Sequence, residues 1–365
     1  MKKLVRRLLA LGLGLVLALG LLEIGLRTTG ALPIQRNPLR GFHRPHPLLG
    51  WSGVPDYSAK FRQADFDVVI EHDPSGFRRA GHGIGELESD AVRVAFLGDS
   101  FTWGWGVRQG AVFTDRLQDL LGRGVEIRNL GVNAYGTGQE RLLLESDVLG
   151  WQPDVVVVMF CWNDLQDNLD EKKGRRPWFE QVEGELVARN VPVRRDISGW
   201  GKAVARRSLA ISLLNYQADA AIAKLKARRA KPVEAGPRPE SGRTSGRAGA
   251  EEERQWAAFE ALLAEMKALC DGSPGEPELR LALIPDRRRE GPQGAGDTSA
   301  RMDRLSGICA RVGIPLLDLA PGLAAGSDGA GDRRAAFFPH DGHWTAEGHA
   351  RVARFLSEAW SWARD

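Results

Sequence analysis

The chain is poor in cysteine and has almost no excess of charge of either sign. Its three cysteines, Cys161, Cys270 and Cys309, have the spacing of neither a disulfide framework nor a metal-binding motif. Pairing of Cys270 with Cys309 stays open, but we favour inert buried thiols. The formal net charge is +3, and four basic residues near the N-terminus account for it. The rest of the chain is close to neutral, so nothing in its charge suggests a nucleic-acid-binding surface, which would need a basic face.

Those four basic residues precede an uncharged apolar stretch from Leu8 to Leu22, which is the pattern of an export signal. By the positive-inside rule the N-terminus stays cytoplasmic and the remainder faces the periplasm or cell exterior. A membrane span needs about 20 residues, which the stretch reaches if it continues to Arg27 with Arg7 and Arg27 snorkelling. We favour an uncleaved anchor over a signal peptide cleaved near Ala18-Leu19-Gly20, and either over a buried core helix.

The remaining chain is long and apolar enough for a sizeable core, since 43% of all residues are hydrophobic. We predict an anchor over residues 1–30, an N-terminal extension over 31–90 that packs on the main domain, and the main domain over 91–365. Within the extension, Phe66–Ile70 has the pattern of a strand.

An insertion interrupts the main domain at about residues 165–251. Arg206–Arg229 has the pattern of a basic, partly amphipathic helix, and Lys231–Ala250 is rich in Pro, Gly, Ser and Arg. The second segment buries too little apolar surface to order itself, so we predict a disordered loop. For the helix we favour a solvated, charged segment over a lid or a membrane-surface contact.

From Ala91 onwards short apolar runs alternate with amphipathic segments. Strands are predicted at Val92–Leu97, Val125–Leu130, Val155–Phe160, Leu279–Ile284 and Ile314–Leu319. Helices are predicted at Phe113–Leu121, Gln139–Asp147, Gln255–Cys270, Ala300–Val312 and Thr345–Trp362. This alternation indicates an α/β fold with a parallel sheet covered on both faces, in which ligands bind at the carboxyl ends of the strands.

The first predicted strand ends abruptly in Gly98-Asp99-Ser100. The glycine allows a sharp bend, so the turn would present the Ser100 hydroxyl at the edge of the sheet. A serine there is a candidate nucleophile if a base takes its proton and donors hold the resulting oxyanion. The alternative is that Ser100 only caps a helix.

Two further strand ends carry candidate oxyanion donors. Gly131, in Asn129-Leu130-Gly131-Val132, can present its N–H without a side chain in the way, and Asn163 carries a neutral amide donor. With the Ser100 N–H they would form a three-donor oxyanion hole. A turn glycine at 131 and an ordinary strand-end cap at 163 are the structural alternatives.

The segment before the last helix, His340-Asp341-Gly342-His343-Trp344, carries a candidate base. Asp341 can accept from one ring nitrogen of His343 and leave the other to take the Ser100 proton, as in a serine triad. His340 and His349 compete as bases, and His340, Asp341 and His343 could start a metal site, although no further ligand cluster follows.

Four tryptophans flank these motifs. They are Trp103, Trp105, Trp162 and Trp344. We favour core filling for them over a platform on which a sugar stacks.

Taken together, the four motifs, in this order, resemble the SGNH/GDSL hydrolase superfamily. The resemblance covers roughly residues 91–165 and 279–362 and implies a flavodoxin-like three-layer α/β/α sandwich. It further implies that Ser100 is the nucleophile, that Gly131 and Asn163 are oxyanion donors, and that Asp341 and His343 complete the triad. Members with an N-terminal anchor commonly act on exported acyl esters or polysaccharide acetyl groups.

The chain departs from this family pattern at two points. Cys161 stands where the third motif usually has glycine, and one residue instead of the usual two separates Asp341 from His343. The shorter spacing also occurs in some anchored bacterial members and in the related alginate-type acetyltransferases.

The expected function is that of an exported, membrane-anchored serine esterase that cleaves acyl esters, acetyl esters in particular. It would need no cofactor and no metal, and its partners would be a small-molecule or glycan ester and, through the N-terminal helix, the membrane. The alternatives are an O-acetyltransferase acting on an exported polysaccharide, and a catalytically inactive glycan-binding protein on the same fold. The oligomeric state stays open.

Overall fold

The computed structural model describes residues 2–29, 42–63, 65–81, 87–169, 175–193, 210, 245–285, 295–324, 333–339 and 341–362. The chain divides into two compact units. One comprises residues 1–38 with 196–243, and the other comprises residues 39–195 with 244–365.

The first unit contains a single long described helix, α1 (Lys2–Thr29). Its segment Leu9–Thr29 has a mean hydropathy of 2.3 and is long and apolar enough to cross a membrane. Most of its large apolar side chains are exposed, as in a helix whose partner is not protein. The predicted basic helix at Arg206–Arg229 lies outside the described residues, apart from Ala210.

The second unit begins with two antiparallel hairpins. The first pairs β1 (His43–His46) with β2 (Gly50–Gly53), and the second pairs β3 (Ser58–Arg62) with β4 (Asp67–Glu71). The strand predicted at Phe66–Ile70 is β4, displaced by one residue.

A five-stranded parallel sheet forms the centre of this unit. Its strands are β5 (Val92–Gly98), β6 (Val125–Asn129), β7 (Val155–Phe160), β10 (Glu278–Leu283) and β11 (Leu316–Asp318). The spatial order is β11-β10-β7-β5-β6. Numbered by position in the chain this order is 2-1-3-4-5, the flavodoxin-like arrangement, so the predicted fold class is confirmed.

Helices cover both faces of the sheet because the strands are apolar on both sides. Val94 and Phe96 of β5 pack with α3 (Phe113–Leu121) and α9 (Ala346–Ala359). The opposite face of the sheet packs against three other helices. These are α4 (Thr137–Leu143), α6 (Ser245–Asp271) and α7 (Ala295–Val312). Every residue of β7 is buried, as expected for the middle strand of a three-layer sandwich.

Shorter elements complete the chain. They are α2 (Ser100–Trp103), α5 (Asp164–Asp167), the hairpin of β8 (Trp178–Val182) with β9 (Glu185–Arg189), and α8 (Ala320–Ala324). The β8–β9 hairpin lies within the predicted insertion.

Two predictions near the insertion need correction. Helix α6 begins at Ser245, ten residues before the predicted Gln255, so the last part of the predicted disordered loop Lys231–Ala250 is helical. The start was missed because Ser245-Gly246-Arg247 has no apolar periodicity, whereas the later turns bury Trp256 and Phe259. Residues 231–244 lie outside the described residues.

Candidate active site

The candidate residues meet where the strand order reverses. Strands β5 and β7 are neighbours in the sheet, but they are not consecutive in the chain. Strand β6 follows β5 in the chain and pairs with its other edge. In open α/β sheets ligands bind outside the carboxyl ends of the strands at this kind of position. Ser100 follows β5 and Asn163 follows β7, so the fold places both side chains at the switch point.

Ser100 is the first residue of α2, and the residue before it, Asp99, is the N-cap of this helix. The Asp99 carboxylate accepts from the Phe101 N–H at 2.9 Å, so Asp99 fills the capping role proposed as the alternative for Ser100. Gly98 allows the bend with a φ of +153°, where a Cβ would overlap the Thr102 hydroxyl. The Ser100 hydroxyl is therefore free to face the cleft.

A chain of hydrogen bonds runs from Ser100 through His343 to Asp341. Ser100 Oγ lies 2.7 Å from His343 Nε2, and His343 Nδ1 hydrogen-bonds Asp341 Oδ1. Asp341 Oδ1 also accepts from the His343 backbone N–H at 3.2 Å, and Oδ2 accepts from Trp105 Nε1 at 2.9 Å. Burial raises the pKa of Asp341, but the hydrogen bonds from His343 and Trp105 and the His343 charge outweigh it, so the pKa is lowered.

The competing histidines differ in their surroundings. His349 is 1% exposed, and its Nδ1 accepts from the Phe113 N–H at 3.2 Å. Burial, with Arg78 and His343 nearby, lowers the pKa of His349 to about 3, so its ring is a neutral packing group. His340 lies outside the described residues. Among the residues that the structure describes, no three His, Cys, Asp or Glu side chains form a group that could hold a metal ion.

The predicted oxyanion donors are not all brought together. Asn163 is exposed on the cleft, where its amide donates to Asp164 Oδ1 at 3.3 Å. The Gly131 N–H instead donates to Asn129 Oδ1 at 3.0 Å, and its Cα is packed so tightly that a Cβ would lie 2.5 Å from Trp103 N. Gly131 is buried and does not line the cleft, which corrects its predicted place.

Ala134, three residues further along, occupies the position expected of Gly131. It lines the cleft and has a left-handed backbone with a φ of +63°. Its carbonyl accepts from Arg176 Nη2 at 2.8 Å, whereas its N–H has no acceptor in the described part of the chain. The sequence gives no signal for Ala134, because glycine, and not alanine, usually marks a left-handed turn.

The cleft at the carboxyl end of the sheet has a volume of about 890 Å³. Three segments line it, Asp99–Phe101, Cys161–Asn163 and Asp341–His343, together with other residues that include Ala134, Gln255 and Arg301. Of the four tryptophans, Trp103, Trp105 and Trp344 are buried in the core, and Trp105 also donates to Asp341. Trp162 lies half-buried in the cleft wall. Core filling therefore describes three of the four.

The sequence model of the GDSL-like lipase/acylhydrolase family matches residues 96–351, more than two thirds of the chain. The chain belongs to this family. As a GDSL hydrolase it is an ester-cleaving enzyme, and the matched range includes Ser100, Asn163, Asp341 and His343.

Individual relatives of this GDSL hydrolase are more distant. An acetylxylan esterase of Xylanibacter ruminicola is 36% identical over 85 residues, which is 21% of this chain and 18% of that protein, so the match spans about a fifth of its length. The crystal structure of the acetyl xylan esterase AlAXEase is 14% identical with a TM-score of 0.40, covering 73% of this chain and 99% of that one. The lipase Lip_vut3 from a goat rumen metagenome is 13% identical with a TM-score of 0.41, covering 74% and 97%.

Three buried carboxyl groups, Asp99, Glu140 and Asp164, lie close to the candidate nucleophile Ser100. Burial, and then their mutual repulsion, raises the pKa of Glu140 and of Asp164 well above the usual values, and burial raises the pKa of Asp99. Asp164 accepts from the Cys161 N–H at 3.1 Å and thereby holds the loop that carries Asn163.

The family departure at Cys161 is a part of this buried cluster. Its thiol hydrogen-bonds Asp99, and burial, with the charges of Asp99 and Asp164, raises its pKa well above the usual value. Cys270 and Cys309 are also buried, and all three cysteines are free.

Proposed function

We propose that the protein is an exported, membrane-anchored serine esterase that removes small acyl groups, acetyl in particular, from a bulky alcohol such as a carbohydrate. The observation that carries this proposal is the 2.7 Å contact between Ser100 Oγ and His343 Nε2, with His343 Nδ1 hydrogen-bonded to Asp341. A nucleophile, a base within hydrogen-bond reach and a group that orients the base are the parts that acyl transfer needs.

In the proposed reaction, His343 Nε2 takes the Ser100 proton as Oγ attacks the ester carbonyl carbon. The bond from that carbon to the alcohol oxygen then breaks, and His343 returns the proton to the leaving alcohol. Water attacks the acyl-Ser100 ester by the same route and releases the carboxylic acid. Asp341 stays ionised and stabilises the imidazolium in both halves, which its lowered pKa favours.

The oxyanion would be held by three donors. We assign the Ser100 N–H, the Asn163 side-chain amide and the Ala134 N–H, the last in place of Gly131. Ala134 and Asn163 line the same cleft as Ser100, and the Ala134 N–H has no acceptor among the described residues. The Asn163 amide is held beside the cleft by Asp164. Losing one such donor costs about 3 kcal/mol of transition-state stabilisation.

The substrate class is supported by the size of the cleft and by one relative. A cleft of about 890 Å³ is far larger than an acetyl group and has room for a bulky alcohol beside it. The curated relative at 36% identity over 85 residues is named an acetylxylan esterase. The apolar segment Leu9–Thr29 and the basic residues before it support a membrane anchor with the second unit on the exported side.

The test uses the full-length protein in detergent with p-nitrophenyl esters of increasing chain length and with acetylated xylan. We expect the highest kcat/KM for the acetate, release of free acetate from xylan, and fluorophosphonate labelling that is lost in Ser100→Ala. Preference for long chains would refute the acetyl assignment, and transfer of acetyl to a glycan would favour the acetyltransferase. Absence of labelling and turnover in folded protein would favour the inactive glycan-binding alternative.

A further inference from the structure

The carboxyl group of Asp341 is held at both oxygens, and its backbone is held as well. Oδ1 accepts from the two N–H groups of His343, whereas Oδ2 accepts from Trp105 Nε1 at 2.9 Å. The Asp341 backbone N–H donates to Asp65 Oδ2 at 3.0 Å. Two residues outside the four motifs, Trp105 and Asp65, therefore determine where this carboxylate lies and which way it faces.

Asp65 belongs to the N-terminal extension, in the turn between β3 and β4. The same hairpin also packs against two neighbours of the acid–base pair. Phe61 meets Trp105 edge-on with ring centroids 5.0 Å apart, and Phe66 contacts Phe338, close to Asp341 in the chain, at 5.2 Å. One hairpin thus contacts the residue that binds Asp341 Oδ2 and the loop that carries Asp341.

Trp105 also restrains the base itself. Its indole ring stacks on the His343 imidazole with centroids 5.4 Å apart and an interplanar angle of 29°. It is only 8% exposed, so its N–H would be costly to leave without an acceptor. An indole fixed by packing is a rigid donor, and a rigid donor limits rotation of the carboxylate about its own axis.

We propose that Trp105 and Asp65 are positioning residues for the acid–base pair, with the β3–β4 hairpin as their support. The proposal rests on the triad proposed above. Trp105 donates a hydrogen bond to Asp341 Oδ2, so that Oδ1 faces His343 Nδ1. Asp65 holds the Asp341 backbone by accepting from its N–H. Without them Asp341 and His343 still meet, but in a wider range of geometries, which lowers the fraction that is aligned with Ser100.

The first experiment is Trp105→Phe in the full-length protein, assayed with p-nitrophenyl acetate. Phenylalanine keeps an aromatic ring beside His343 and removes the N–H donor. Because a hydrogen bond to a charged group contributes about 1.5–3 kcal/mol, we expect kcat to fall about 10- to 100-fold with KM unchanged. Trp344→Phe is the matched control, because Trp344 is fully buried nearby and its Nε1 has no hydrogen-bond partner among the described residues. Its kcat should stay within about twofold of the parent.

The pH profile separates positioning from packing. The Trp105 hydrogen bond is one of the interactions that lower the pKa of Asp341. Its removal leaves a more basic carboxylate, which stabilises the imidazolium beside it more strongly and therefore shifts the acid-side loss of kcat to higher pH. A tryptophan that only fills space would leave the profile where it is in both Trp→Phe variants. An unshifted profile in Trp105→Phe would therefore overturn the role assigned to Trp105.

Asp65 is tested by a conservative pair. Asp65→Asn keeps an oxygen that can accept from the Asp341 N–H, whereas Asp65→Ala does not. We expect kcat close to the parent for Asp65→Asn and about tenfold lower for Asp65→Ala, with similar thermal unfolding midpoints. Equal kcat values for both variants and the parent would overturn the role of Asp65. Full activity of Ser100→Ala would instead refute the triad itself, so the two failures are distinguishable.

Discussion

Glu140 should make the stability of this enzyme depend on pH in a direction opposite to that of a paired surface carboxylate. Its side chain is fully buried on α4, and neither carboxyl oxygen has a hydrogen-bond partner in the described part of the chain. Burial, and then the nearby Asp99 charge, raises its pKa well above 4.5. We predict that Glu140→Gln, which keeps the size of the side chain and removes its charge, stabilises the protein at neutral and alkaline pH.

The sign follows from proton linkage. Above pH 4.5 the unfolded chain has lost the Glu140 proton, whereas the folded protein keeps it until the pH reaches the raised folded-state pKa. The folded state binds more protons over this window, so the free energy of unfolding falls as the pH rises. A difference of one bound proton between the two states changes the free energy of unfolding by about 1.4 kcal/mol per pH unit.

Glutamine binds no proton in either state, so that slope disappears in the variant. The charge of Glu140 is also among the causes that raise the pKa of Asp164, so removing it weakens the pH dependence contributed by Asp164 as well. The stability advantage of Glu140→Gln over the parent should therefore grow with pH and be small near pH 4.5.

The assay is urea unfolding of parent and variant at pH 5, 6, 7 and 8, read as ΔG at constant m-value. Glu145→Gln is the control, because Glu145 lies on the next helical turn but is 53% exposed and paired with Arg141. We expect the Glu145→Gln curve to run parallel to that of the parent. If the Glu140→Gln curve also runs parallel to the parent, Glu140 does not carry a proton in the folded state and the reasoning fails.

Three further predictions concern the site and its scaffold. Asn163→Ala should lower kcat for p-nitrophenyl acetate by about 100-fold or more with KM unchanged, and full activity would exclude Asn163 as an oxyanion donor. Ala134→Gly should keep activity, since the N–H remains, and raise the free energy of unfolding in urea by about 1 kcal/mol, since glycine adopts a φ of +63° without strain. Gly98→Ala should lower the thermal midpoint sharply, because the new Cβ would overlap Thr102 Oγ1 and lie 2.9 Å from Met159 Cβ; an unchanged midpoint would show that the turn can shift.

The sheet was predictable because buried parallel strands have an unmistakable composition. Val155–Phe160 was predicted with its observed bounds, since a run of six apolar residues, four of them valine, is typical of a strand covered on both faces. The extension was less predictable. Strands β1 and β2 contain histidine, proline and glycine without alternation, and only their backbone pairing shows that they are strands.

The site was predictable where its chemistry is local in sequence. Ser100 and the Asp341–His343 pair each lie in a short motif, and the four motifs taken together predicted the roles that we propose for them. Ala134 was not predicted to line the cleft, because its position depends on a left-handed backbone conformation that usually indicates glycine and not alanine. Asp65 was missed because its bond to Asp341 spans 276 positions and exists only in the folded chain.

The shape of the loop that carries Asp341 and His343 supports the positioning roles that we propose for Trp105 and Asp65. The loop is closed on itself, since the Phe338 N–H donates to the His343 carbonyl at 2.8 Å and the Gly342 N–H to the Phe338 carbonyl at 3.1 Å. These bonds define the shape of the loop but not its position relative to Ser100, which follows a different strand. If only the shape of this loop were fixed, the distance from Ser100 Oγ to His343 Nε2 would not be. The bonds from Asp65 and Trp105 to Asp341, together with the packing of Phe101 on His343 and Trp344, supply that position. Because Trp105 and Phe101 lie on the same short segment as Ser100, they hold the proposed base close to the proposed nucleophile.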